Sequence, residues 1–270
     1  MEKKGERGRR LKELVKLIDN KFFFNVLKKL YTFFFNNRNF KIDSEKILEN
    51  IFFSKDKKII IQIGANDGLM LDPLRKFLIK KGNYKAILIE PLDYYYKNLL
   101  KLYKKRKDIK LLKVCISTKK KQKIYFISPK IANLMNGEGP KNNWAHGQGS
   151  SEKKFIIKQI KLNNFRGSDY KKNIQKYINS IIHKNIRTMK ISDINIDNKS
   201  TIILIIDVQG SELDVLKTVD FKKQKIKYIY YEDEFPHSLK SQKIITLLKK
   251  NNYKYIGSDG VNYIYILKSY

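Results

Sequence analysis

From residue 57 onward the chain alternates short runs of β-branched and aliphatic residues with amphipathic stretches, and that rhythm admits few folds. Strands spaced by crossover helices build a parallel sheet. Strands are predicted over 58–63, 86–90, 109–115, 202–207 and 226–231, and helices over 72–81, 94–105, 212–219 and 239–251. The chain closes differently: "YKYIG", the turn "SDG" and "NYIYILK" read as an antiparallel hairpin. The expected architecture is an open, mostly parallel α/β sheet of the doubly wound kind, finishing in an antiparallel pair.

Two regions depart from this rhythm. In residues 1–54, Leu11, Leu14, Val15 and Leu17 or Ile18, then Phe22, Phe23, Val26, Leu27, Leu30 and Phe34, recur at helical spacing among Lys and Arg. This basic amphipathic extension reads either as helices capping the main domain or as an interfacial helix on an anionic membrane. The main domain then spans 55–270. Inside it, residues 128–185 hold Gly137, Gly139, Pro140, Gly147, Gly149, the single Trp144 and two of the three histidines, with a helical patch near 170–182. So long an interruption reads as a substrate-facing insertion.

The formal net charge of +32 invites a nucleic-acid reading. Lysine supplies most of it, arginine is scarce, and Ile, Asn, Tyr and Phe are abundant, a pattern of AT-rich coding that weighs against nucleic acid as partner. Attraction to anionic substrates or a peripheral contact with anionic lipid head groups remains an expectation. The single Cys115 excludes an intrachain disulfide and a cysteine-based metal site. No apolar run approaches the roughly 18 residues of a membrane span, and the start of the chain lacks a secretory signal, so a cytoplasmic location is expected.

Three blocks carry chemistry. In "IIIQIGANDG", a buried-strand run of isoleucines ends at Gly64, with Gly68 four residues on; glycine there permits a sharp turn and close approach of a ligand. The spacing is not that of the dinucleotide fingerprint, and a plain structural turn is the competing reading. In "AILIEP", Glu90 ends the next strand, where an acid accepts hydrogen bonds from ribose hydroxyls. In "TIILIIDVQGSELDVL", Asp207 ends a third apolar run and would point into the same crevice; it could equally cap the following helix.

Together "IGANDG", "IEP" and "IDVQGSELDVL" resemble the FkbM family of S-adenosylmethionine-dependent methyltransferases, over about residues 57–268. The last block is the most specific, with Gln209 where Glu is also common. The resemblance implies a class I methyltransferase fold: a Rossmann-like, seven-stranded, mostly parallel sheet with an antiparallel last strand. It implies S-adenosyl-L-methionine as cofactor. Gly64, Ala65, Asn66, Asp67 and Gly68 would then form the loop at its methionine part, Glu90 with Pro91 would hold the ribose, and Cys115 and Ile116 would lie by the adenine. Asp207 would share in binding. "WAHGQGSS" loosely resembles a further segment of the family.

The implied reaction is O-methylation of a hydroxyl on a carbohydrate or related metabolite of a glycan or lipopolysaccharide pathway. A hydroxyl is a poor nucleophile, so a base is wanted. Asp207, Glu232 and His237 are the leading candidates, with His146 and His183 behind them, and no metal is expected. The alternatives are a nicotinamide-dependent oxidoreductase on a related sheet, disfavoured by the missing third glycine, and a non-catalytic basic module binding nucleic acid or membrane.

Overall fold

A computed structural model describes residues 44–69, 72, 74–79, 82–135, 145–162 and 168–268. The chain divides into two compact units, Met1–Ile42 and Asp43–Tyr270, and the described residues belong to the second. The amphipathic stripes at 11–34 and Trp144 lie outside the described residues.

The second unit opens with helix α1 (Ser44–Phe53). Its Leu48 and Ile51 are buried in the main core, and Phe52 stacks on Phe77 at 4.2 Å, so the compact unit starts before the boundary expected at residue 55. There follow β1 (Lys58–Ile63), α2 (Arg75–Leu78), β2 (Tyr84–Ile89), α3 (Asp93–Tyr103) and β3 (Ile109–Leu112). Next come β4 (Cys115–Ile116), β5 (Lys121–Ile127), α4 (Pro129–Met135), β6 (Gly149–Ser150), α5 (Lys153–Leu162), α6 (Ser168–Asn179) and β7 (Ile181–Met189). The chain ends with β8 (Thr201–Ile206), α7 (Glu212–Leu216), β9 (Ile226–Glu232), α8 (Leu239–Lys250), β10 (Tyr253–Ser258) and β11 (Asn262–Leu267).

Seven strands form one sheet in the order β10-β11-β9-β8-β1-β2-β3. β11 runs antiparallel to both neighbours and the pairs among β9, β8, β1, β2 and β3 are parallel. Both faces are covered. Ile59, Ile61 and Ile63 pack with Val215 and Leu216 of α7 and Ile244 and Leu248 of α8; Ile60 faces the opposite core with α1, α2 and α3. A strand buried on two sides favours apolar side chains at nearly every position, which is why β1 and β8 are rich in isoleucine; Gln62 is the polar residue set among those of β1.

Two expectations change. The strand predicted over 109–115 breaks: β3 stops at Leu112, and β4 crosses to pair with β7 in a second sheet, β4-β7-β5-β6. The turn is held from outside, where the Lys113 ammonium donates to Asp93 Oδ1 at 2.9 Å. Residues 128–185 are also more than a loop, because α4, α5 and β7 close a core of their own around Ile127, Ala132, Ala145, Phe155, Ile156, Ile160 and Ile181.

Leu48 is 2 % exposed. Leu48→Ala is expected to destabilise the protein by about 2–4 kcal/mol through lost transfer energy plus an unfilled cavity, measured by urea denaturation; a change under about 0.5 kcal/mol would place α1 outside the folding unit.

Candidate active site

The parallel strands are in step: Ile63 lies opposite Ile89 of β2 and Ile206 of β8, and Ile206 lies opposite Tyr231 of β9. The next residue of each strand therefore falls in one row at the carboxyl edge: Gly64, Glu90, Asp207 and Glu232. Gly64 must be glycine on two counts. Its φ is +83°, and a Cβ on it would stand 1.7 Å from the Asp207 carbonyl oxygen. The amides of Gly64 and Ala65 both donate to the Ile89 carbonyl at 3.0 Å, folding the loop back over β2. Asn66, left-handed at φ 50°, donates its N–H to Glu90 Oε2 at 3.0 Å, and the Leu92 N–H donates to Oε1 at 2.8 Å. Glu90 thus ties the glycine loop to the start of α3 while each oxygen keeps a lone pair.

Above this row lies a cavity of about 740 Å³. One flank is apolar, with Val114, Cys115 and Ile116; the opposite end carries Asp207, Glu232 and Glu234. Gln209, also left-handed at φ 51°, donates Nε2 to Asp207 Oδ1 at 2.9 Å and to Glu232 Oε2 at 3.1 Å, bridging the two carboxyl groups. A left-handed glutamine costs on the order of 1–3 kcal/mol, and here the conformation aims its amide at both acids. The segment Ala145–Ser151 crosses the cavity as a strap. The Gly147 N–H donates to the Tyr95 hydroxyl at 2.8 Å, and a Cβ there would meet the Asn66 amide at 2.2 Å. β6 fixes the strap to β5, and the hydroxyls of Ser151 and Ser211 lie 2.7 Å apart.

Burial governs the charges. It pushes the Glu90 carboxyl up to about 7, against the two backbone N–H bonds that pull it down. It pushes Glu234 to about 7 and Glu232 to about 10, with the Asp207 charge adding to both, so Glu232 holds a proton at neutral pH. Burial lowers His146, and it raises the Cys115 thiol to about 12, which removes Cys115 as a nucleophile.

Of the residues singled out in the sequence, Gly64, Ala65, Asn66, Glu90, Pro91, Cys115, Ile116, Asp207 and Glu232 all line this cavity. Asp67 and Gly68 belong to the loop but stand behind the wall: Asp67 Oδ1 accepts the Leu69 N–H, and Gly68 packs toward Leu99 and Tyr103. His237 lies outside the wall, in a left-handed turn at φ 76° that leads to α8. His183 sits on β7 against the Tyr125 ring, and among the described residues only His146 of the three histidines reaches the cavity. Gln62, Asp72 and Glu234, which sequence reasoning passed over, line it as well. Gln62 is hidden inside the isoleucine run, and only strand parity points to it.

Residues 62–255 match the profile of the methyltransferase FkbM domain. The chain belongs to the FkbM methyltransferase family. It is a methyltransferase, and its methyl donor is S-adenosyl-L-methionine. No curated protein sequence matches it at a significant level. Among solved structures it is similar to a precorrin-6y C5,15-methyltransferase from Geobacter metallireducens, at 11 % identity and TM-score 0.40 over 83 % of this chain and 88 % of that one. A SAM-dependent methyltransferase from Aquifex aeolicus follows at 10 % identity and TM-score 0.36 over 83 % and 88 %. A fibrillarin/Nop5p complex matches at 12 % and 0.39 over 83 % and 79 %.

The residues of this FkbM chain fit the cofactor. Asn66 Oδ1 and Gln148 Oε1 are buried at the cavity with no partner, ready to accept from an ammonium group. Glu90 has lone pairs left for ribose hydroxyls, and the Val114–Ile116 flank offers an apolar surface to a purine. We propose this placement, and it has a pH signature. Ribose hydroxyls donate to the ionised carboxylate, so affinity is full above the Glu90 pKa of about 7 and falls as pH drops through it. S-adenosylhomocysteine should bind about tenfold more weakly for each pH unit below that point. Calorimetry should show Glu90→Gln both weakening binding and flattening the profile; an unchanged profile in the variant would remove Glu90 from the ribose.

Proposed function

We propose that the enzyme is an O-methyltransferase acting on a hydroxyl of a carbohydrate or related metabolite of the glycan or lipopolysaccharide type. The observation that carries this reading is the Asp207–Gln209–Glu232 cluster. From Glu90 on β2 to Glu232 on β9 is three strand steps, roughly 14 Å at about 4.8 Å each, so the cluster stands beyond the ribose end of the site, where an acceptor would sit. The bound cofactor supplies a methyl group already activated on a sulfonium.

The remaining chemistry belongs to the chain. A hydroxyl must be held in place and lose its proton as its oxygen gains the methyl group. Asp207 is the acceptor for that proton. Gln209 fixes its Oδ1 by donation and turns its carboxylate toward the cavity. Glu232, which burial keeps protonated at neutral pH, does not compete for that proton. The strap from Ala145 to Ser151 keeps water out. This reading leaves His237 without a role as base.

Asp207→Asn should lower kcat about 10²–10⁴-fold while S-adenosylhomocysteine still binds, and Glu232→Gln should cost far less. The product with an extracted glycan or polyol pool should be a methyl ether, stable to mild alkali. A methyl amine or alkali-labile ester would sink the hydroxyl assignment.

The charge of +32 further supports a peripheral contact with anionic glycolipid surfaces. Co-sedimentation with anionic vesicles and not neutral ones, near 0.15 M salt, is the expected outcome; no sedimentation with either would end that part of the proposal.

A further inference from the structure

The chain carries 58 Lys and Arg against 26 Asp and Glu, yet its main cavity inverts that balance. Among the described residues that line it, none is Lys or Arg and six are acidic. Two of the six are committed elsewhere. Glu90 holds the loop, and Asp214 accepts the hydroxyls of Ser117 and Thr118 at 2.6 and 2.8 Å. The other four, Asp72, Asp207, Glu232 and Glu234, gather at the acceptor end, where the Asp207 charge acts on each of the rest. Two lysines stand close by outside the lining: Lys158, whose charge acts on Glu234, lies over the Phe235 ring at 3.2 Å, and Lys240 donates to Glu152 and the Gly210 carbonyl.

A second observation points to what the acids face. Gln62 is 3 % exposed. It sits opposite Ile205, which sits opposite Tyr230, so by strand parity it shares a face with Asp207 and Glu232 one pleat above. Its Nε2 donates to Asp72 Oδ1 at 2.9 Å, and its Oε1 meets the cavity with no partner. Asp72 Oδ2 and Gln209 Oε1 are likewise buried and unpartnered. Every one of these atoms accepts hydrogen bonds. A ligand that leaves them unmet forfeits on the order of the full desolvation penalty of each. Phosphate, sulfate or carboxylate would add repulsion, and a hydroxyl offers one donor, whereas an ammonium group offers three with a positive charge.

Resting on the O-methylation reading, we propose that the acceptor carries a protonated primary amine beside the hydroxyl that is methylated, which makes it an amino sugar or a simpler amino alcohol. The amine is the handle and the hydroxyl is the nucleophile, because a protonated nitrogen has no lone pair to alkylate. Acidic sugars and sugar phosphates are excluded from this end of the cavity.

The test uses the full chain saturated with S-adenosylhomocysteine, so that the cofactor's own ammonium is already in place. Dissociation constants are measured by ligand-observed NMR for two matched pairs, glucosamine with glucose and ethanolamine with ethylene glycol, and for glucuronate. The amine of each pair should bind about tenfold more tightly than its neutral partner, and glucuronate no better than glucose. Glu234→Gln and Asp72→Asn should each shrink that ratio while S-adenosylhomocysteine affinity stays within about twofold. A preference confined to ethanolamine upholds the inference and fails the carbohydrate reading. Glucose bound as tightly as glucosamine, with no ethanolamine preference, overturns the inference and leaves the carbohydrate reading standing. A preference for glucuronate, or no binding by either amine, also overturns it.

Discussion

The crossing of the Gly64 backbone over the carbonyl of Asp207 is the constraint on which the rest of the site depends. With any side chain at 64, a Cβ would lie 1.7 Å from that oxygen, and the loop could not cover the end of β8. Because β1 is in register with both β2 and β8, this one contact brings the glycine loop, Glu90 and Asp207 to the same height. Glu90 then secures the arrangement from the other side, accepting one N–H from the loop and one from the residue before α3. The glycine loop is therefore held between two strand ends, one by sterics and one by charge-assisted hydrogen bonds.

Such an edge concentrates carboxyl groups in a place that does not hydrate them. The cost is met in three different ways. Glu90 gains two backbone donors. Glu212, pushed to about 7 by burial, takes the Gly210 N–H and so stiffens the turn that aims Gln209. Glu232 keeps its proton. These are stability terms: acids whose folded pKa is raised stabilise the protein fully only below their unfolded pKa of about 4.5, and that contribution is lost as pH rises through the folded value. A ligand that brings donors or positive charge offsets this loss, which couples occupancy of the cavity to the integrity of its rim.

Much of this was legible in the sequence, for reasons that can be stated residue by residue. Isoleucine-rich runs mark strands buried on both faces, so β1 and β8 were found within a residue of their ends. The "SDG" turn gave the antiparallel β11. Gly64, Glu90 and Asp207 stand at strand ends, where spacing alone identifies them. What stayed hidden depends on tertiary pairing. β5 mixes lysines with apolar residues and finds its partner β7 only beyond three intervening helices, so local pattern gave no sign of a second sheet. The helices of the insertion bury modest stripes against one another rather than on the main sheet. His237 looked catalytic because it follows β9 closely, but the turn before α8 carries it out of the wall.

Gln209 shows how a single amide can hold two acidic strand ends together. Its position in the motif also accepts Glu in the wider family resemblance, and the two residues are nearly isosteric. Here the side-chain nitrogen donates to Asp207 and to Glu232 at once. A carboxylate in its place would remove that shared donor and add a third acidic group within hydrogen-bond distance of both. One more proton would then have to be bound to relieve the repulsion. The glutamine thus links two acids on neighbouring strands without placing a further charge between them.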